Sequence, residues 1–287
     1  MTANKVIYAF VFLIGLTSIS YAQKAEKIKG NRDVTVKQTY IDGFNTLIIK
    51  NDFEVKIAYN SKSSVEVEAD DNLHEIIDIN VSDGTLSIST SKRITSKKKL
   101  IITVNYSDNL EDVELYDSAE LRSLTSMELN DFKLKIDNNS RAYLNLKATN
   151  FSFTASNRTK SRLNITADSS SFIMSDNSKL DALLNSKTTS FDLYQNADAT
   201  IEGDTENSTL RLDNSAKFIG KAFTIQNANV LIESNSDATL NITTELKLNA
   251  SGNTETFVYG EPKIILETFS DTAKLQKKEM NNKGLFN

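Results

Sequence analysis

The sequence FSFTA at residues 151–155 is followed by SSFIM at 170–174, TSFDL at 189–193 and STLRL at 208–212, so that equivalent residues are always nineteen positions apart. Each segment has apolar residues at its third and fifth positions, the pattern of a strand with one buried face. A constant interval of this length indicates a repeat architecture. Four apolar series keep it: Leu134, Phe153, Phe172, Phe191 and Leu210; Ile136, Ala155, Met174, Leu193 and Leu212; Leu144, Leu163, Ala182 and Ile201; Leu146, Ile165 and Leu184.

Polar residues keep the same interval just after these segments. Asn and Asp favour turns because they tolerate left-handed backbone and hydrogen-bond to it. We therefore predict a corner at each of these positions, with the side chains stacked as an amide ladder. No segment has a sustained period of 3.6 residues, so the chain is predicted to be all-β. The polar series is Asn138, Asn157, Asp176, Gln195 and Asn214.

Short strands that recur every nineteen residues restrict the architecture. A propeller blade needs about 40 residues, and a β-sandwich, the remaining alternative, does not predict a constant interval. A parallel β-solenoid does, because each coil stacks on the previous one at about 4.8 Å. Regular coils are predicted over about residues 113–266, which gives roughly eight coils and a rod on the order of 35 Å long.

Residues 33–106 alternate with a different rhythm and contain a hairpin turn at Asp83-Gly84. We predict that this strand-rich part starts or caps the solenoid, since an exposed first coil would be an aggregation-prone edge. The predicted organisation is a linker at 23–38, one solenoid domain at 39–270 and a polar tail at 271–287.

Residues 1–22 have the pattern of a secretion signal. Lys5 precedes an apolar stretch from Val6 to Leu16, and Ser20-Tyr21-Ala22 offers small residues before a cut at Gln23. The stretch is short for a membrane span, so an uncleaved anchor or a buried helix are the weaker alternatives. We predict an exported protein, periplasmic or at the cell surface or extracellular, with no integral membrane span in the mature chain.

Composition excludes several kinds of chemistry. The chain has no Cys, one His and 9 Gly, while it contains 30 Asn, 31 Ser and 27 Thr. The missing Cys excludes disulfides, zinc–thiolate sites and cysteine nucleophiles. The small number of Gly excludes a calcium-binding β-roll, which needs paired glycines in every turn. The net charge of −5 argues against a nucleic-acid partner. The basic run at 97–99 is predicted to be a solvated loop between strands.

Candidate chemical groups are few. His74 lies near Asp70, Asp71 and Glu75, but adjacent residues on a strand cannot all face one ligand, so we interpret it as a surface histidine. Asp176 and Asp213 are assigned to one corner column, two coils or about 10 Å apart, which is not the geometry of an acid–base pair. The sequence therefore predicts no catalytic, cofactor-binding or metal-binding residue. Asn-X-Ser/Thr triplets, among them those at 138, 157, 164 and 241, are given no function.

Five stretches of the N-terminal strands form a recognisable series: FNTLII at 44–49, DFEVKI at 52–57, VEVEA at 65–69, NL at 72–73 and VSDGTLSI at 81–88. They resemble the opening of a known family, the auto-transporter adhesin head domain (GIN domain) of exported Bacteroidetes proteins. The resemblance covers roughly residues 39–265. It implies a right-handed β-solenoid with a surface or envelope role and no catalytic residues. Family members usually have Gly at the repeat corners and Pro near 106–108, so this chain resembles a divergent member.

These observations predict an exported, non-enzymatic binding or structural protein of the cell envelope. It would present a Ser/Thr/Asn-rich surface to an envelope glycan or protein, and it could form a homo-oligomer. Two alternatives stay open. A carbohydrate-active β-helix enzyme, a polysaccharide lyase or hydrolase, would need close carboxylates on adjacent coils. A periplasmic envelope-stress or binding module is the other.

Overall fold

The computed structural model describes residues 26–107 and 110–279, and the predicted signal sequence lies outside them. In these residues the chain forms strands and one short 3-10 helix, Asp71–Ile76. The strands are β1 (Lys27–Lys29), β2 (Val34–Tyr40), β3 (Thr46–Ile49), β4 (Glu54–Tyr59), β5 (Ser64–Asp70), β6 (Ile77–Ser82), β7 (Thr85–Thr90), β8 (Arg93–Ser96), β9 (Leu100–Tyr106), β10 (Asp112–Leu115), β11 (Glu120–Ser123), β12 (Met127–Glu128), β13 (Asp131–Ile136), β14 (Arg141–Ala155), β15 (Lys160–Met174), β16 (Lys179–Leu193), β17 (Asp198–Leu212), β18 (Lys217–Ile232), β19 (Asp237–Ala250), β20 (Glu255–Tyr259), β21 (Lys263–Phe269) and β22 (Lys274–Lys277).

The central strands form a parallel β-solenoid. In β15 a first arm at 160–167 and a second arm at 170–174 are joined by a bend at 168–169, where two consecutive residues face solvent. The next coil pairs with it in parallel, and Leu163 lies opposite Ala182. The same nineteen-residue step relates β14 to β15 and β16 to β17. The predicted solenoid and coil length are confirmed, with about nine turns.

The apolar series predicted from the sequence form the core. Every one of their members is buried. The rings of Phe172 and Phe191 stack with centroids 4.7 Å apart, and Phe153 meets Phe172 edge to face at 6.1 Å. Aromatic pairs in these geometries add to the stability gained by burial. The core is therefore a column of side chains that runs through successive coils.

Turns between coils select their residues by backbone geometry. All five members of the polar series have φ between 54° and 61°. Left-handed backbone costs about 1–2 kcal/mol for most residues, and Asn and Asp adopt it most readily. The predicted corners are confirmed, but the predicted amide ladder is wrong for the turns described. Asp176 instead accepts a hydrogen bond from the backbone N–H of Asn157 on the preceding coil, at 3.2 Å.

A column of small side chains closes each turn on the core side. The hydroxyls of Ser140, Thr159 and Ser178 are buried and, among the described residues, have no hydrogen-bond partner. Because alanines occupy the same column, the position selects for small size and not for polarity. The buried members are Ala119, Ser140, Thr159, Ser178, Ala197, Ala216, Ser236 and Thr254.

The N-terminal part closes one end of the core. β3 and β4 form a coil that is paired on one side with β7 and β9 and on the other with β10 and β11. β2, β5 and β9 are antiparallel, and β6 and β7 form a hairpin through Asp83-Gly84. Both turn residues have positive φ, as such a tight turn requires. The predicted strand-rich cap is confirmed.

The buried carboxylate of Asp70 fastens the loops around this cap. It accepts hydrogen bonds from the backbone N–H groups of Arg32, Lys98 and Lys99, at 3.0–3.1 Å. Burial raises the pKa of Asp70, but these hydrogen bonds outweigh it, so the pKa lies below its usual value. The basic run at 97–99 forms the predicted loop, between β8 and β9.

Both ends of the domain differ from the expected boundaries. β1 and most of β2 lie in the segment expected as a linker, and β2 pairs with β5 although most of its residues are exposed. β22 lies in the expected tail and stacks on β20. At this end, Leu266 and Phe269 of β21 are 49% and 43% exposed. None of the described residues forms a helix with the length and hydrophobicity of a membrane span.

Candidate functional site

A shallow groove crosses the outer face of the first arms. It spans β11, β14, β15, β16 and β17, and it has a volume of about 600 Å³. Five strands stacked at about 4.8 Å give it a length of about 19 Å along the solenoid axis. We call it the first-arm groove, and its outward-facing residues are Ser123, Tyr143, Asn145, Arg162, Asn164, Asp181, Leu183, Thr200 and Glu202.

Two columns of outward side chains line the groove, because alternate residues of each first arm face solvent. Coil-to-coil register places Tyr143, Arg162 and Asp181 in line. The second column begins at Asn145. On each strand its residue lies two positions after the residue of the first column, so the two columns are about 7 Å apart. Its members in order are Asn145, Asn164, Leu183 and Glu202.

One end of the groove is held by a local network. The guanidinium of Arg122 lies 3.9 Å from the ring centroid of Tyr143 and is hydrogen-bonded to Glu120 at 2.7 Å. A cation over an aromatic face is attracted by the ring quadrupole. The backbone N–H of Asn145 also donates to the hydroxyl of Ser123 at 2.9 Å. These contacts fix the Tyr143 ring as a half-buried wall of the groove.

The other end lies where the coil geometry changes. Gly203 has φ of 110°, and a Cβ there would lie 2.2 Å from the carbonyl oxygen of Leu184. The next coil is shifted in register between Thr200 and Glu202. The regular columns therefore end at β17, and the groove ends with them.

The middle of the groove carries charged groups without protein partners. Arg162 lies directly opposite Asp181 on the neighbouring coil. Within residues 26–107 and 110–279, these two side chains form no ion pair with each other or with another residue. Beside them, Leu183 is 44% exposed. The groove thus combines an apolar patch with hydrogen-bonding groups open to a ligand.

Asp176 and Asp213, the two carboxylates considered as a pair in the sequence, both accept hydrogen bonds within turns. Asp213 aligns with Asp137 and not with Asp176, so the expected shared column is wrong. Asp137 accepts hydrogen bonds from Ser156 and from the side-chain amide of Asn157. Burial raises the pKa of Asp137, but these bonds outweigh it and the pKa is lowered.

His74 lies in the 3-10 helix of the cap, away from the coils that form the groove. Its Nε2 atom is 3.0 Å from the Thr35 hydroxyl, which donates to Asp71 at 3.0 Å. The side chain is partly buried, so it is less exposed than the expected surface histidine. In the part of the chain that the structure describes, no group of three or more potential ligands could hold a metal ion.

The first-arm groove is not among the features predicted from the sequence. Its signal is the nineteen-residue step from Tyr143 to Arg162 to Asp181, which falls on outward positions between the apolar series. That step could have identified the column. The missing ion pair depends on side-chain conformation, and only the structure shows it.

The fold defines a class, the parallel β-solenoid with an antiparallel cap at one end. The chain matches the family described as "putative auto-transporter adhesin, head GIN domain" over residues 43–183 and 159–262, and it belongs to that family. The resemblance seen in the sequence is thereby confirmed. No curated protein matches the chain.

Several solved structures have the same fold. An adhesin from Parabacteroides merdae, named as putative, is 17% identical with a TM-score of 0.67, covering 88% of this chain and 100% of its own. A second from Parabacteroides distasonis is 18% identical with a TM-score of 0.66, covering 89% and 100%. A "putative lipid binding protein" from Parabacteroides distasonis is 14% identical with a TM-score of 0.55, covering 88% and 100%. At these identities the likeness concerns the fold. None of the three is named as an enzyme.

Proposed function

We propose that this protein is an exported, non-enzymatic binding protein of the cell envelope, similar to adhesin heads, and that the first-arm groove is its binding surface. The observation that carries the proposal is the set of unpartnered polar side chains on a rigid ladder of coils. The paired strands fix the backbone positions of these groups, so the entropy lost on binding is mainly that of the side-chain rotamers. Membership of the adhesin-head family supports the same conclusion.

One observation favours a second candidate, a carbohydrate-active enzyme. Asp181 and Glu202 both line the groove on adjacent coils, offset by two residues along the strand. The strand spacings place their Cα atoms roughly 8 Å apart, and carboxyl groups of inverting glycosidases are about 6.5–9.5 Å apart. However, both side chains are exposed, whereas a glycosidase acid occupies a protected apolar pocket. This environment favours binding without turnover.

The binding proposal is tested by co-sedimentation of the purified protein with cell-envelope fragments. The double variant R162A/D181A should weaken the association by about tenfold, the effect of one or two lost polar contacts. The matched control is R211A/D192A, an Arg–Asp pair on neighbouring coils of the second arms. Equal effects of the two variants would show that the groove is not the binding surface.

Two further measurements separate the candidates. His74→Ala and chelation should leave the association unchanged, because the histidine lies in the cap. Release of sugar from a polysaccharide, lost in both D181N and E202Q, would establish the enzyme. Export is checked by N-terminal sequencing of the protein recovered outside the cytoplasm. A chain that begins at Gln23 is expected, and one that retains Met1 contradicts the cleaved signal.

A further inference from the structure

Among the described residues, the charged side chains of the first-arm groove form no ion pairs, and this indicates the class of ligand that the groove binds. On other faces, opposite charges on neighbouring coils form ion pairs, as Lys187–Asp168 does at 2.7 Å and Lys274–Glu255 at 2.8 Å. Arg162 and Asp181 are also opposite one another, yet no ion pair joins them. Their hydrogen-bonding capacity is thus available to a ligand that offers both donors and acceptors.

The remaining groove residues add two kinds of contact. The side-chain amides of Asn145 and Asn164 are exposed and, in the described part of the chain, have no hydrogen-bond partner. An amide presents one acceptor and two donors in a plane, and a guanidinium presents a fork of donors. Leu183 and the Tyr143 ring supply apolar surface between these groups. Sugars match this set, since a pyranose has a ring of hydroxyls around an apolar C–H face.

The repeat of the groove also matches a repeating ligand. Successive coils present equivalent positions at intervals of about 4.8 Å. This spacing is close to the length of one sugar unit in an extended chain. We infer that the first-arm groove binds an extended, neutral glycan chain that runs along the solenoid axis, with about one sugar unit on each coil. The inference rests on the proposed function, because it names the ligand of the same groove.

Other polymers fit less well on physical grounds. A peptide would add to a sheet through a free strand edge, but β15 and β16 are paired on both sides. An acyl chain needs continuous apolar surface, whereas Arg162, Asp181 and Glu202 interrupt it. A polyanion such as a nucleic acid or an acidic glycan would meet the two carboxylates, and one arginine does not outweigh them.

The experiment titrates the full chain with neutral cello-, manno- and xylo-oligosaccharides of graded length, and with neutral polysaccharide extracted from envelopes, by calorimetry. Affinity for at least one series should rise with each unit up to about four or five units and then level off, because five strands form the groove. R162A/D181A should weaken this binding by about tenfold, while R211A/D192A should not change it.

The outcomes separate the inference from the proposed function. If R162A/D181A weakens envelope association but no neutral glycan binds or competes, the groove is functional and the glycan assignment is wrong. If phospholipid vesicles compete with the envelope for the protein, and the variant L183D no longer binds these vesicles, the ligand is a lipid instead. An affinity that does not depend on oligosaccharide length contradicts the axial arrangement. Normal envelope association of R162A/D181A would overturn the proposed function itself.

Discussion

Truncation of Phe172 tests whether the aromatic column supports the solenoid. The side chain is fully buried, and its ring contacts Phe191 at 4.7 Å, Phe153 at 6.1 Å and Phe151 at 5.9 Å between centroids. Replacing a buried Phe with Ala costs about 3–5 kcal/mol. We expect Phe172→Ala to fall near the upper end. The hydrogen-bonded coils on either side hold the cavity open, and three aromatic contacts are lost.

The measurement is the free energy of unfolding from chemical denaturation. Ile173→Ala is a matched control, because its side chain is next in sequence but faces solvent and is 41% exposed. That change, like Asp181→Asn on the groove face, should alter the free energy by about 0.5 kcal/mol or less. Phe172→Asp should be more damaging than Phe172→Ala, since it buries a charge without a partner. If Ile173→Ala and Phe172→Ala destabilise equally, the nineteen-residue register of the core is refuted.

Three other predictions address the turns and the cap. Ser178→Ala should stabilise the protein by about 1 kcal/mol in denaturant unfolding, because the buried hydroxyl has no partner among the described residues; a loss of stability would reveal a hidden hydrogen bond. Asn157→Val should lower the melting temperature more than Asn157→Gly, since the backbone has φ of 59° and a β-branched residue there costs more than about 1 kcal/mol. Asp70 has a lowered pKa in the folded state, so its contribution is complete above the unfolded pKa of about 3.9 and is lost as pH falls through the folded value. Asp70→Asn should therefore lower stability at neutral pH and flatten the acid limb of stability against pH, and an unchanged acid limb would contradict this assignment.

The sequence predicts the central coils because stacking places equivalent residues of successive coils in one column of the core, so that apolar residues recur at a constant interval. Phe153, Phe172 and Phe191 repeat for that reason. The ends are harder to predict. β2 is exposed on both faces along most of its length, so no buried face imposes a regular alternation of apolar and polar residues. β22 has a single partly buried apolar residue, Leu275. In both cases pairing with a distant strand, and not local pattern, creates the strand.

The polar series at the turns and the first-arm groove are incompletely predicted from the sequence, for two different reasons. At Asn157 the residue type is predicted correctly for a turn, but the stacked amides do not form, because the side chain bonds to Asp137 instead. In the groove, Arg162 and Asp181 lie nineteen positions apart in the sequence, so their alignment on neighbouring coils can be predicted. Whether such a pair closes into an ion pair depends on rotamers and on the local curvature of the sheet, and a linear pattern contains neither.

The cap at one end of the solenoid also determines how such a protein can change in length. The antiparallel strands β2, β5 and β9 close one end, whereas β21 ends the other with an unpaired edge among the described residues. A tandem duplication of one nineteen-residue unit within β14–β17 would meet equivalent neighbours above and below. It would extend the rod by about 4.8 Å and lengthen the first-arm groove by one position. One duplication therefore changes the length of the solenoid and the number of binding positions in the groove together. Relatives that differ by whole coils should differ in both.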